Sequence, residues 1–171
     1  MAETAVLLVD GNNLNLGPTQ RLDFAALKAY LEGKFNLVSL QYFFALRPVM
    51  DEEAYERHQS FIAVLVRLGI KTRQKMMRKG FEGNWKGDCD IDIALAAADA
   101  FQVATWVILL TNDTDFLSVI DYGHRCSKKV AIVTANGQVA LELKNEADLV
   151  IDLSEESEMF FSPTALEEIE T

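Results

Sequence analysis

The chain has 171 residues, a formal net charge of −10 and a composition that is 50% hydrophobic. This length suits a single domain with a substantial core, and no apolar run approaches the roughly 18 residues that cross a bilayer. The first apolar run, residues 5–9, is too short for a signal peptide. The two cysteines, Cys89 and Cys126, lack metal-site or disulfide spacing. We therefore expect a reduced, cytoplasmic protein without a membrane segment.

Apolar runs alternate along the chain with segments of helical periodicity. The runs predict strands at residues 5–9, 37–46, 106–110, 129–134 and 149–153. The segment 70–77, which alternates partly and is basic, is predicted to be an edge strand. Helices are predicted at 24–33 after an Asp23 cap, 51–68 ending at Gly69, 91–103, 116–122 ending at Gly123, and 139–144. This alternation predicts an α/β fold: a single Rossmann-like domain with a mostly parallel central sheet and helices on both faces. We assign residues 1–153 to the domain. Residues 154–171 form an acidic tail, which frays or forms a short helix after Pro163.

Aspartates follow two of the predicted strands. Asp10 ends the first strand, while Asp113 and Asp115 follow the strand at 106–110. Ligands of open α/β sheets bind beyond the carboxyl ends of the strands, and crowded carboxylates there favour a bound cation. Each residue also has a structural explanation, because Asp10 with Gly11 can form a turn and Asp115 can cap a helix.

A third acidic segment, residues 86–93, carries aspartates at alternate positions: Asp88, Asp90 and Asp92. Residues two apart on a helix point to nearly opposite sides, so these acids cannot all serve one site. We favour Asp90 as the acid that faces the strand ends and keep Asp92 as the alternative. Asp92 and Asp99 lie on one helical stripe, which can equally be a solvent-exposed face.

Basic residues are concentrated in one stretch of this acidic chain. Seven of the 16 lysines and arginines lie between Arg67 and Lys86, whereas residues 154–171 contain six glutamates and no basic residue. A nucleic-acid backbone could contact these candidates: Arg73, Lys75, Arg78, Lys79 and Lys86. The same residues could form a solvated face.

Three further residues are candidates for contacts with a nucleic acid. Trp85 could stack on a base or pack against the sheet. Asn12 and Asn13 could contact a phosphate, steady Asp10 or form a turn.

Three segments in this order resemble the NYN domain, and more narrowly its bacterial LabA-like branch, whose fold is related to PIN-domain nucleases. They are Val9-Asp-Gly-Asn-Asn-Leu14, Lys86-Gly-Asp-Cys-Asp-Ile-Asp-Ile93 and Leu110-Thr-Asn-Asp-Thr-Asp-Phe116. The resemblance covers residues 5–153 and implies a metal-dependent ribonuclease or a protein that retained such a site. It implies Asp10, Asp113, Asp115 and one of Asp90 and Asp92 as the acids. Asn112 replaces a common glycine, and the middle motif is one residue longer than usual.

These observations predict a PIN-like domain that hydrolyses RNA with Mg²⁺ or Mn²⁺. The expected catalytic acids are Asp10, Asp90, Asp113 and Asp115, and Asp92 is a further candidate ligand. The alternative is a regulatory module that binds nucleic acid or protein and retains the acids without catalysis, which the acidic tail and the net charge favour. The apolar residues Met159, Phe160 and Phe161 raise the further hypothesis of a homo-oligomer.

Overall fold

The computed structural model describes residues 2–14, 16, 20–48, 52–81 and 83–163. Its centre is a six-stranded sheet in which every neighbouring pair is parallel, in the order β4-β3-β1-β7-β8-β9. The strands are β1 (Thr4–Asp10), β3 (Asn36–Leu46), β4 (Lys71–Met76), β7 (Trp106–Leu110), β8 (Lys129–Thr134) and β9 (Leu149–Asp152). Two short antiparallel pairs join β2 (Gln20–Leu22) to β10 (Phe161–Pro163) and β5 (Arg78–Lys79) to β6 (Trp85–Lys86).

Helices cover both faces of the sheet, which confirms the predicted α/β fold. They are α1 (Phe24–Glu32), α2 (Glu52–Arg67), α3 (Asp90–Val103), α4 (Leu117–Arg125), α5 (Leu141–Glu146) and α6 (Ser157–Phe160). Residues of α1, α2 and α6 belong to one core cluster, and residues of α3, α4 and α5 belong to the other. The 3₁₀ turns at Thr114–Phe116 and Leu153–Glu156 complete the described elements.

Strand β1 shows why this sequence builds a two-sided core. Its residues Ala5, Leu7 and Val9 enter one core cluster, and Val6 and Leu8 enter the other. Successive side chains of a strand point to opposite faces, so the continuous apolar run at 5–9 suits a strand with helices above and below. Strand β7, residues 106–110, has the same buried pattern.

The chain reverses its direction of sheet growth between β1 and β7. From β1 it adds β3 and β4 on one side, and it then returns to add β7, β8 and β9 on the other. A crevice opens at such a switch point, outside the carboxyl ends of the two strands. Asp10 is the last residue of β1, and Thr111 directly follows β7.

One predicted helix end was wrong. The helix expected to stop at Gly123 continues to Arg125, and Gly123 is buried inside it. A Cβ atom at this position would lie 2.7 Å from Cζ of Phe101 on α3. Close packing of α3 against α4 therefore explains this glycine, and a helix-ending conformation does not.

The first part of the predicted acidic tail is folded onto the domain. Phe160 is buried in the core beside Tyr30, with ring centroids 5.2 Å apart, and its carbonyl accepts a hydrogen bond from the backbone N–H of Asp23. Since Phe160 is used by its own core, the apolar surface suggested for a second copy is reduced to Met159 and Phe161. The short helix proposed after Pro163 lies outside the described residues.

Candidate metal centre

Asp10 is a buried carboxylate at the end of β1, with only 2% of its surface exposed. Its Oδ2 accepts hydrogen bonds from Nδ2 of Asn13 at 2.8 Å and from the hydroxyl of Thr111 at 3.2 Å. Burial raises the pKa of Asp10, and the two hydrogen bonds partly offset that rise. These partners fix the orientation of the carboxylate, because a buried charge without hydrogen bonds would be costly.

Asp113 stands beside Asp10 in the turn after β7. Nδ2 of Asn13 reaches Oδ2 of Asp113 at 3.4 Å, so one amide links the two acids. The other oxygen of Asp113 accepts the backbone N–H of Asp115 at 2.9 Å and caps the short 3₁₀ turn. The cap is thus Asp113, whereas the sequence pattern had offered that structural role to Asp115.

A further acid, Asp90, comes from the start of a helix. Asp90 is the first residue of α3, and Cys89 before it occupies the N-cap position without a side-chain cap bond. One carboxylate oxygen each of Asp90, Asp113 and Asp115 lie within 4.8 Å of one another. Burial, together with the charges of neighbouring carboxylates that include Asp10, raises the pKa of Asp90 to about 6. We call these four acids, Asp10, Asp90, Asp113 and Asp115, the acidic cluster.

A divalent cation fits the acidic cluster. Within the part of the chain that the structure describes, each ion pair of a lysine or arginine lies elsewhere, so no such residue neutralises the four acids. Oxygen ligands of this kind suit hard ions such as Mg²⁺ and Mn²⁺. Burial is the main cause of the raised pKa of Asp90, and the neighbouring carboxylates add an electrostatic repulsion that a bound cation would relieve.

Asp92 is directed away from the acidic cluster. Its carboxylate pairs with Nζ of Lys75 on β4 at 2.8 Å, and both side chains are about half exposed. The structure thus places Asp90 beside Asp113 and Asp115, and it places Asp92 beside Lys75 of β4.

The two asparagines after Asp10 have different tasks. The side chain of Asn12 accepts the backbone N–H of Ala45 at 2.7 Å and donates to its carbonyl at 3.3 Å. These hydrogen bonds join the turn after β1 to the end of β3. They occupy the side-chain amide of Asn12, which the sequence had suggested as a phosphate contact. Asn13 instead orients acids of the cluster. Gly11, which lies between Asp10 and Asn12, packs tightly, since a Cβ there would lie 2.4 Å from the ring of Tyr42.

The basic candidates lie on two elements near the start of α3. Arg73 and Lys75 are on β4, and the remaining three are on a short hairpin: Arg78, Lys79 and Lys86. In the backbone register of this hairpin, Arg78 lies opposite Lys86, and Lys79 lies opposite Trp85, which is half-buried. Phe81 between the two strands is fully exposed.

Sequence reasoning missed two residues of this region. Thr111 donates to Asp10, and its hydroxyl also accepts the backbone N–H of Asp113 at 3.2 Å. The sequence signal for this role was a threonine placed between an apolar strand and the Asn-Asp turn. Phe81 was not among the predicted site residues, although an aromatic residue close to basic residues is typical of a nucleic-acid surface.

None of the helices in the described ranges combines the length and apolar character needed to cross a membrane. The model of the NYN domain family matches residues 4–155. The chain belongs to the NYN domain family. It is 24% identical over 164 residues to the Low amplitude and bright protein LabA of Synechococcus elongatus, covering 87% of this chain and 83% of LabA.

A solved structure supports the NYN fold independently of close sequence similarity. The crystal structure of a protein of unknown function from Vibrio parahaemolyticus has a TM-score of 0.79 to this chain. The match covers 94% of this chain and 97% of that one, at 20% sequence identity. As an NYN domain, the chain has the PIN-like nuclease fold that the three motifs implied, and its acidic cluster lies at the switch point of that fold.

Proposed function

We propose that this NYN domain is a metal-dependent ribonuclease that hydrolyses phosphodiester bonds at the acidic cluster. The observation that carries the proposal is the convergence of Asp90, Asp113 and Asp115 within 4.8 Å, without a paired lysine or arginine among the described residues. Three such carboxylates repel one another in the absence of a cation. RNA as the substrate class rests on the family relationship.

Asp90, Asp113 and Asp115 would hold Mg²⁺ or Mn²⁺, with Asp10 close behind them. A divalent ion bound there supplies Lewis-acid stabilisation of the phosphate and makes a water molecule more acidic. The chain itself contributes orientation: Asn13 and Thr111 hold Asp10 by hydrogen bonds, and the backbone N–H of Asp115 holds Asp113. This pre-organisation keeps the carboxylates in place as charge develops on the phosphate.

Histidine is not part of the proposed chemistry. His124 pairs with Asp148 at 3.0 Å, and the ring of His58 packs against Phe44 with centroids 4.9 Å apart. Both interactions lie outside the acidic cluster. Catalysis therefore depends on the cation and on substrate positioning, and no imidazole base contributes.

The basic hairpin, residues 78–86, is suited to hold the substrate next to the acidic cluster. Arg78, Lys79 and Lys86 can contact phosphates, which position a nucleic acid without reading its sequence. The exposed ring of Phe81 offers a stacking surface for a base. The hairpin is followed within four residues by Asp90, so substrate bound there lies close to the cation. Cys89 and Cys126 are both free thiols, and we propose that the protein acts in a reducing cytoplasm.

The test is cleavage of end-labelled single-stranded and hairpin RNA with Mn²⁺ or Mg²⁺. We expect cutting that is lost in EDTA and in the Asp113→Asn variant, whose fold is checked by circular dichroism. Metal binding measured by calorimetry should weaken in the same variant. Cutting that persists in both controls would contradict the proposal, because it would not depend on the acidic cluster.

A non-catalytic binding module is the second candidate. The net charge of −10 and the exposed Glu155, Glu156 and Glu158 favour a protein partner over a polyanion. This alternative predicts that the protein binds metal but cleaves neither the single-stranded nor the hairpin RNA of the test above.

A further inference from the structure

A groove runs along the face of the sheet that α3 only partly covers. Helix α3 packs over β1 and β7, and no other helix of the described residues covers β3 and β4 beyond it on that side. The groove has a volume of about 790 Å³ and extends along α3 from Asp92 to Val103. Its size lies in the range of specific ligand sites. It is separate from the acidic cluster but adjoins the start of the same helix.

Three cations line the β4 side of the groove: Lys71, Arg73 and Lys75. They pair in register with Gln41, Phe43 and Ala45, and the last two pack in the core cluster on the α3 side. The three cations therefore share the sheet face that looks towards α3. Alternate residues of a strand are about 6.6 Å apart, a spacing close to that of successive phosphates in an extended nucleic-acid strand. We call these residues the cationic row.

The groove also offers neutral polar groups on its β3 side. Gln41 lies within 3.4 Å of the guanidinium of Arg73. The hydroxyl of Ser39 lines the groove and is buried without a hydrogen-bond partner among the described residues. A buried hydroxyl without a partner is costly, so this group is available to a ligand that carries hydroxyl or amide groups.

The opposite wall of the groove is acidic. Asp92 and Asp99 project from α3, seven residues apart on one stripe of the helix. A single strand can place its phosphates on the cationic row and keep its bases and sugars towards α3. A duplex would bring a second row of phosphates against Asp92 and Asp99, which repel them. The charge pattern thus selects one strand.

One end of the groove lies at the start of α3, next to the acidic cluster. Lys75, the last residue of the cationic row, pairs with Asp92, which lies two positions beyond Asp90. Cys89, which directly precedes Asp90, also lines the groove. A strand that follows the cationic row from Lys71 to Lys75 therefore arrives at the carboxylates.

We propose that this groove binds single-stranded RNA, with its phosphates on the cationic row, and guides the strand to the acidic cluster. The proposal rests on the proposed ribonuclease function and adds to it the strandedness of the substrate and its path. RNA must extend along the groove from the scissile phosphate, so a very short oligonucleotide binds weakly.

The experiment measures binding of a fluorescent oligouridylate in EDTA, where metal-dependent cleavage cannot occur, across a series of salt concentrations. The variant is Lys71→Gln with Arg73→Gln; both residues are exposed. The slope of log K for binding against log of the salt concentration should become shallower by about 1.4, because two phosphate contacts on a single strand are lost. Binding should weaken roughly 20-fold near 0.1 M salt. The control, Lys34→Gln with Lys144→Gln, makes the same charge change at exposed positions outside the groove. It should keep the wild-type slope.

A duplex of oligouridylate with oligoadenylate should bind at least tenfold more weakly than the single strand. Equal binding of both, or an unchanged slope in the groove variant, overturns the proposal. These results are separable from the cleavage assay. If the groove variant binds RNA more weakly but no metal-dependent cutting is found, the result supports RNA binding in the groove and contradicts the ribonuclease function. Cutting that depends on Asp113 but not on Lys71 and Arg73 contradicts the groove alone.

Discussion

The acidic cluster and the cationic row are neighbouring groups of charged residues, one negative and one positive, and they differ in how their charges are spaced. The oxygens of Asp90, Asp113 and Asp115 converge within 4.8 Å in a partly buried crevice. The row is spread along a strand, and Lys71 and Arg73 are exposed. Converging, desolvated charges require a compact counterion, whereas spaced, hydrated charges tolerate one another and match an extended polyanion. The sign of the charge therefore determines whether each set binds a cation or an anion, and spacing and burial determine whether that partner is compact or extended.

The largest expected effect separates two acids of α3. Asp90→Asn should lower the rate of RNA cleavage about a hundredfold or more, because it removes a pre-organised charge of the cluster. Asp92→Asn should leave the rate within about threefold and lower the free energy of unfolding by less than about 1 kcal/mol, as for an exposed ion pair. Single-turnover kinetics and thermal melting measure both. Equal rate losses in the two variants would show that the cluster and the groove wall act as one site.

The two sets should also differ in their response to pH. Burial and neighbouring carboxylates raise the pKa of Asp90 to about 6, so Mn²⁺ must displace a proton below that pH. The affinity for Mn²⁺ should be about tenfold weaker at pH 5 than at pH 7, since one proton competes. Calorimetry measures this change, and binding of oligouridylate by the cationic row is the comparison. A Mn²⁺ affinity that is flat over this range would contradict the assignment of Asp90.

The same titration has a consequence for stability without metal. Between the ordinary pKa of an aspartate and about 6, the folded protein holds a proton on Asp90 that the unfolded chain has released. The contribution of Asp90 to stability is therefore full at low pH and is lost as the pH rises through about 6. Asp90→Asn should flatten this part of the stability profile, and Asp92→Asn should leave it unchanged. Chemical denaturation in EDTA provides the measurement.

A smaller effect concerns the backbone behind Asp10. A Cβ at Gly11 would lie 2.4 Å from the Tyr42 ring and 2.7 Å from the carbonyl oxygen of Phe43. Gly11→Ala should therefore lower the free energy of unfolding by roughly 1–3 kcal/mol through overpacking, and it should weaken Mn²⁺ binding because Asp10 shifts. Gly33→Ala is the control, since its nearest contact is a backbone oxygen at 3.3 Å, far from the cluster. Wild-type stability in Gly11→Ala would mean that the turn can adjust.

An effect of similar size concerns the hydrogen bonds that support the acids. Thr111→Val removes one hydrogen bond to Asp10 and one from the amide of Asp113, and should cost about 1 kcal/mol per lost bond. Thr111→Ser keeps the hydroxyl and should retain most of the stability. Cleavage should fall more in the valine variant than in the serine variant. Equal rates in both would indicate that Thr111 has no part in orienting the cluster.

Much of the fold was predictable from local patterns. Five of the six strands of the main sheet matched apolar runs, because buried parallel strands need apolar residues on both faces. The basic, largely exposed β4 was instead predicted as an edge strand from its partial alternation. The small strands of residues 20–22, 78–79, 85–86 and 161–163 were missed, since pairs this short depend on distant partners. The buried Phe160 shows the same limit, because a glutamate-rich segment gave no local sign that one of its residues completes the core.

The sequence by itself determined the alternation of strands and helices, the acids at the strand ends and the concentration of basic residues before α3. Only the tertiary structure decided which of these charges meet. Asp90 rather than Asp92 joins Asp113 and Asp115, Asn12 is held by Ala45, and Lys75 faces Asp92 across a groove. The physical reason is that these pairs are separated by tens of residues in the chain, and their distances depend on strand order and helix placement.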